Sequence, residues 1–248
     1  MIRLSEYSTP DPFGQTRKDT LAAPVGIDLL SLTMLNRIHI ALSLCLSLLA
    51  GCSNQPEPTI NLSRAVQIGD IDQLERNLYW GADVNKPGPD GQAPLHVAAQ
   101  KGSLVMSKIL VKHQADLEAL NPQGHTPLLK ALIARNTIVA EYLVQSGAKL
   151  DPDKALHITA ALGSADRDVI GFLVKQGATL DNLDEKGNTP LHSAILNDQR
   201  VTAKYLINRG ASLDIVNREG LTPLALAVKR DNQDIIRILR QFGASESR

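Results

Sequence analysis

From residue 60 onward the apolar residues fall in short clusters with helical spacing, each cluster set off by turn-forming positions. Leu128, Ala131 and Leu132 recur at i, i+3 and i+4, as do Leu191, Ala194 and Ile195, so each group draws one apolar stripe on a short helix. Thr126-Pro127 and Thr189-Pro190 stand directly before them. A threonine at the N-cap accepts a hydrogen bond from an otherwise unpaired helix amide, and a proline at the first helical position lacks an N–H that would find no partner there. The pattern predicts a second helix after each first one, over 105–112, 137–145, 201–208 and 234–241, with adjacent apolar pairs such as Ile109-Leu110. Gly147, Gly177, Gly210 and Gly243 follow at the place where a left-handed residue ends a helix.

These helix pairs return with a fixed period. Their openings read Gly91-Gln92-Ala93-Pro94-Leu95-His96, Gly124-His125-Thr126-Pro127-Leu128, Gly187-Asn188-Thr189-Pro190-Leu191-His192 and Gly220-Leu221-Thr222-Pro223-Leu224. Ala82, Ala115 and Ala148 are 33 residues apart, as are Ala178, Ala211 and Ala244; the step from Ala148 to Ala178 is 30. A unit of this size cannot bury its apolar face alone, so neighbours stack into a row that offers an extended surface rather than a closed pocket. Six units are predicted, at 60–86, 87–119, 120–151, 152–182, 183–215 and 216–245, the outer two acting as caps. The first lacks the Thr-Pro-Leu-His opening, and the last shows Arg237, Arg240 and Gln241 on its final helix.

Together these motifs closely resemble the ankyrin repeat across residues 60–245. The resemblance implies an all-α fold, an ankyrin-repeat solenoid of about six helix-turn-helix units with β-turn fingers, and a function in binding.

Unit four departs from the period twice. Pro127 to Ala155 spans 28 residues, five short of a repeat, which predicts a truncated finger around Asp151-Pro152-Asp153 and a notch in the finger row. His157 to Ala178 spans 21 residues against 19 from His96 to Ala115, which places two extra residues between Gly163 and Asp168. Drift in a tolerant loop and a dedicated partner contact both account for this.

The chain ahead of the repeats has a different character. Met34-Leu35-Asn36-Arg37-Ile38-His39 is a short basic start, an apolar run covers 40–48, and Leu49-Ala50-Gly51-Cys52 closes it, the outline of a signal peptide over 34–51. The run is far shorter than the roughly 20 residues of a spanning helix. Leu-Ala-Gly-Cys resembles the bacterial lipobox, which implies cleavage before Cys52 and acylation of Cys52 at its thiol and its new amino terminus. Several acyl chains anchor a protein where one does not. Ser53 in the next position implies an outer-membrane lipoprotein facing the periplasm, with 52–59 as a lipidated, proline-containing tether. Residues 1–33 carry Arg3, Arg17 and Lys18 against Glu6, Asp11, Asp19 and Asp28, and fit poorly before a signal that needs positive charge. Either they are an extension from a start assigned too early, with Met34 the initiator, or Met1 gives a minor cytoplasmic form.

Charge and chemistry narrow the function further. Removing the four residues of each sign before Cys52 from the 26 of each leaves 22 Lys+Arg and 22 Asp+Glu, a neutral chain with no basic face for nucleic acid. Of the two cysteines, Cys45 leaves with the signal and Cys52 is taken by lipid, so neither disulfide nor thiol chemistry is expected. No Gly-X-Ser-X-Gly elbow, phosphate-binding glycine loop, His-Glu-X-X-His or metal-spaced cysteine pair occurs, so the chain reads as no enzyme and implies neither cofactor nor metal. His96, His157 and His192 hold the ankyrin Thr-Pro-Leu-His position, which implies a hydrogen bond to the backbone of the adjoining unit. His113 and His125 stand alone and read as solvent-exposed. Asp83, Asp116 and Asp214 read as turn formers at finger bases.

The resemblance also implies where a partner sits: on finger tips and the ends of the first helices, along the concave side. Aligned on Pro94, Pro127, Ala155, Pro190 and Pro223, the residues six and seven positions on are Gln100-Lys101, Ile133-Ala134, Ala161-Leu162, Leu196-Asn197 and Lys229-Arg230. They are apolar in the middle and charged at the ends. Ile133, Ala161, Leu162 and Leu196 either form an exposed apolar patch or turn inward to complete the core. Arg135 and the finger residues Gln123, His125, Glu185, Lys186, Arg218 and Glu219 frame them. Tyr79 and Trp80 read as an anchor or as cap packing. Small ankyrin lipoproteins of Gram-negative bacteria resemble immunity proteins of type VI secretion effectors. That implies a cognate phospholipase effector as partner and a free monomer; the alternative is a periplasmic scaffold supporting an enzyme such as catalase.

Overall fold

The computed structural model describes residues 55–245. The segments 1–33 and 34–51, together with Cys52, lie outside the described residues. Twelve helices among the described residues form six antiparallel pairs: α1 (Leu62–Ile68) with α2 (Ile71–Tyr79), α3 (Pro94–Gln100) with α4 (Leu104–Lys112), α5 (Pro127–Ile133) with α6 (Thr137–Gln145), α7 (Pro152–Ala161) with α8 (Arg167–Lys175), α9 (Pro190–Leu196) with α10 (Arg200–Asn208), and α11 (Pro223–Lys229) with α12 (Gln233–Gln241). The first helices pack in one row and the second helices in another. Between them runs a continuous core in which Leu74, Leu95, Leu110, Leu128, Leu143, Leu156, Leu173, Leu191 and Leu206 are fully enclosed.

The local chemistry follows the sequence closely. Thr126, Thr189 and Thr222 each accept from the amide three residues on, and a proline follows each at the first helical position. In unit two the N-cap is Ala93, which makes no such bond. The glycines at 147, 177, 210 and 243 have φ of 101°, 106°, 91° and 91°, a region costly for any residue with a Cβ. The caps are polar as expected: Asn61 and Asp70 cap α1 and α2, and Arg237, Arg240 and Gln241 are exposed on α12.

Fingers arise from tight turns in which the amides of Gly124, Gly187 and Gly220 donate to the carbonyls of Asn121, Asp184 and Asn217. In each, the leading side chain also accepts two amides of its own loop, as Asp184 does from Lys186 and Asn188. Neighbouring fingers are tied by a side chain of one accepting a backbone amide of the next. Asn85 accepts from Asp116, Glu118 from Lys149, and Asp181 from Ser212.

Unit four has no such turn, and the helix takes over its space. α7 starts at Pro152, capped by Asp151, and so gains a turn ahead of Ala155. Asp153 in that added turn supplies the corresponding tie to the next finger base by accepting from the Thr179 amide, the Thr179 hydroxyl and the Asn182 side chain. The inter-helix connection runs from 162 to 166, five residues where the other full units have three. On the second-helix side, Arg209 reaches back to the Arg167 carbonyl across Gly171, where the missing side chain leaves room for the guanidinium.

Candidate partner-binding surface

The fingers and the exposed flank of the first helices share one face, and the predicted partner residues are distributed along it. Gln100 and Lys101 are exposed at one end, Lys229 and Arg230 at the other. Lys229 is held by Glu219, a finger residue, at 2.7 Å, and Arg230 by Asp198 at 3.5 Å, so the charged end is a set of pairs rather than free cations. The Lys229 hydrogen bond and charge lower the Glu219 pKa. Glu185, Lys186, Arg218 and Gln123 are exposed on their fingers, and the Arg218 amide donates to the Lys186 carbonyl at 3.3 Å, joining two fingers.

In the middle, the two readings of the apolar group divide by residue. Leu162 is 51% exposed, whereas Ile133, Ala134 and Ala161 are half-buried and Leu196 packs its half-buried side chain on the core. Asn197 is exposed beside it. Arg135 is occupied by structure: its guanidinium donates to the Gly163 carbonyl at 2.9 Å and lies 3.8 Å from Asp166, bracing the enlarged loop. His125, expected at the surface, is half-buried because its finger folds over unit three; burial, then the Lys130 charge, lowers its pKa.

The truncated finger opens the notch that the spacing predicts. Between units three and four lies a depression of about 530 Å³ lined by Leu120, Leu129, Leu150 and Ile158, with Gln123, His125, Lys149 and Lys154 among its polar walls. Leu120 is 66% exposed, and Leu183 and Val216 occupy the same place on the fingers of units five and six. Sequence reasoning placed only Gln123 and His125 here. The shortened repeat signalled the gap, but which apolar side chains a missing finger uncovers is settled only when the neighbouring units are stacked.

The three repeat histidines are structural. Nε2 of His96, His157 and His192 bonds the carbonyls of His125, Asn182 and Leu221 at 3.0, 3.1 and 3.0 Å, the first and third in the following unit and Asn182 at the last residue of unit four, beside the finger of unit five. A carbonyl only accepts, so each ring carries its proton on Nε2. Nδ1 of His157 meets the Ser193 hydroxyl, and Nδ1 of His192 meets the Thr189 hydroxyl at 2.8 Å. His96 Nδ1 is buried without a hydrogen-bond partner among the described residues. Burial lowers the pKa of all three, against the pull of those carbonyls. Among the described residues no group of three or more His, Cys, Asp or Glu is placed to hold a metal, and no helix is long and apolar enough to cross a membrane.

Stacked helix pairs, tight fingers and histidines that bond backbone carbonyls further along the chain define an ankyrin-type binding scaffold. The model described as ankyrin repeats in three copies matches residues 62–154 and again 156–247, and the chain belongs to that family. It is 31% identical over 156 residues to the transient receptor potential cation channel subfamily A member 1 homolog of Caenorhabditis elegans, across 61% of this chain and 13% of that protein. It is 32% identical over 150 residues to neurogenic locus notch homolog protein 1 of Mus musculus, across 57% of this chain and 6% of that one. The chain thus spans a small part of these relatives. Among solved structures it is similar to the human ASB11 ankyrin repeat domain, with a TM-score of 0.61, 26% identity and coverage of 75% of this chain and 85% of that one. It is also similar to a chain of the complex between the predatory endopeptidase Bd0816 of Bdellovibrio bacteriovorus and the immunity protein Bd3460. There the TM-score is 0.58, with 26% identity over 73% of this chain and 96% of that chain. Ankyrin repeats are typically non-enzymatic protein-interaction modules, which implies a protein partner.

Proposed function

We propose that this protein is an envelope-anchored immunity protein that grips and neutralises a cognate phospholipase effector of type VI secretion. The supporting observation is the likeness to a chain of a bacterial enzyme–immunity protein complex, which extends over 96% of that chain. The surface fits inhibition by coverage. A row of exposed apolar finger residues, Leu120, Leu183 and Val216, flanks a notch wide enough for a protruding side chain, and Leu162 lies on the adjoining helix ends. An extended contact of this kind blocks an active site or a membrane-docking surface without chemistry of its own. Acylation at Cys52 stations the protein at the outer membrane, facing the periplasm where such an effector acts; initiation at Met1 leaves a minor pool without the anchor.

The test is a titration. The product of the neighbouring gene is purified, its phospholipase activity measured, and this protein added up to one equivalent. Activity falls to background at equimolar protein under this reading; full activity at several equivalents overturns it.

A further inference from the structure

The stretch read as a free tether is pinned to the repeat domain from its first described residue. The Trp80 indole donates from Nε1 to the Gln55 carbonyl at 3.2 Å, the Thr59 amide donates to Gln73 Oε1 at 2.9 Å, and Asn77 Nδ2 donates to the Ile60 carbonyl at 2.8 Å. Residues 55–60 therefore run along α2 and supply no slack. Cys52 precedes Gln55 by three residues, a reach of about 11 Å when fully extended. An acyl group on that cysteine would keep the corner of α2 within that reach of the lipid headgroups.

That corner carries the side chains that favour such a place. Tyr79 is 56% exposed and Trp80 48%, their rings edge to face with centroids 6.2 Å apart. Both have an apolar body and a polar tip, which is why tyrosine and tryptophan collect where a bilayer meets water. Charged residues flanking them in the chain, Glu57, Glu75 and Asp83 against Arg76 and Lys86, show no cationic excess, so attraction to anionic headgroups is not the driving force.

We infer that the first repeat unit seats on the membrane surface through Tyr79 and Trp80, so that the lipid anchor and the aromatic pair together fix the unit against the bilayer. This rests on the reading of Cys52 as acylated. The consequence is orientation: a pinned first unit fixes which way the partner-binding row leaves the membrane, whereas a loose tether leaves it free to tumble.

Trp80 is the chain's single tryptophan, so its fluorescence reports on this corner alone. The acylated protein is extracted from cell membranes, its amino terminus defined by mass spectrometry, and the protein reconstituted in phosphatidylethanolamine–phosphatidylglycerol vesicles. Relative to an unanchored, unacylated protein that begins at Ser53, emission shifts to the blue and is quenched by lipids brominated near the headgroup, and high salt leaves both effects in place. Tyr79→Ala, with helical content confirmed by circular dichroism, keeps the reporter and weakens the quenching. An acylated, vesicle-bound protein with the emission of the unanchored form overturns this inference alone, and so does a shift that appears only when a protein partner is added. Absence of an acyl group on Cys52 overturns the anchor and this inference with it.

Discussion

Replacing Ala93 by threonine should stabilise the protein, and the structure indicates by how much. The backbone at Ala93, with φ −67° and ψ 154°, already matches that of Thr189, at −78° and 166°, so the substitution asks for no rearrangement. Space exists at the same place in unit five, where Thr189 is completely buried. A threonine there gains two interactions. Its oxygen can accept the His96 amide, as Thr189 accepts that of His192 at 3.3 Å, but that amide already donates to the Ala93 carbonyl at 2.9 Å, so the cap adds only about 0.5 kcal/mol. Its hydroxyl donates to the unpartnered His96 Nδ1, as Thr189 does to His192 at 2.8 Å, a bond that contributes about 1 kcal/mol. For a folded region of this length, the sum of about 1.5 kcal/mol raises Tm by roughly 3–6 °C. The measurement is thermal and urea unfolding by circular dichroism of Ala93→Thr, of His96→Leu and of the double variant. Most of the gain should vanish in the His96→Leu background, because only the smaller cap term survives there. An unchanged or lowered Tm, or a gain equal in both backgrounds, would refute the reasoning.

Acid should weaken the stack in a defined window. His96, His125, His157 and His192 have folded pKa values below the ordinary 6.5, so the unfolded chain binds more protons than the folded one as pH falls past that value. Stability is full above about pH 6.5 and declines below it, and the urea midpoint should drop between pH 7 and 5, less steeply in His192→Gln. Asp153→Ala removes three hydrogen bonds that replace the missing finger, so it should cost about 1–3 kcal/mol and raise hydrogen exchange at Thr179 and Asn182 more than elsewhere. For the partner surface, Leu120→Asp and Leu162→Asp should each weaken binding by tenfold or more in calorimetry, on the order of 1.4 kcal/mol, while the circular dichroism spectrum stays unchanged. Leu196→Asp, which reaches into the core, should instead lower Tm.

What the sequence determined by itself is the repeat. Threonine caps, N1 prolines, left-handed glycines and helical apolar spacing are each local, and each recurs in phase, so the six helix pairs, the second helices to within a residue and the backbone hydrogen bonds of the three histidines were legible before any coordinates. The irregular fourth unit was legible too, since a 28-residue step leaves no room for a finger. Stacking decided the rest. That α7 fills the gap with an added turn, and that Asp153 in it supplies the missing tie, depends on what Thr179 and Asn182 present at the base of the following finger. Arg135 reads in sequence as one of the residues framing the apolar group, yet the enlarged loop two elements away offers it the Gly163 carbonyl. Leu162 and Leu196 occupy neighbouring registers on equivalent helices but differ in exposure, because burial is set by the adjoining repeat and not by the residue's own. A periodic sequence specifies its units through contacts within each one; it specifies its surface only through contacts between them.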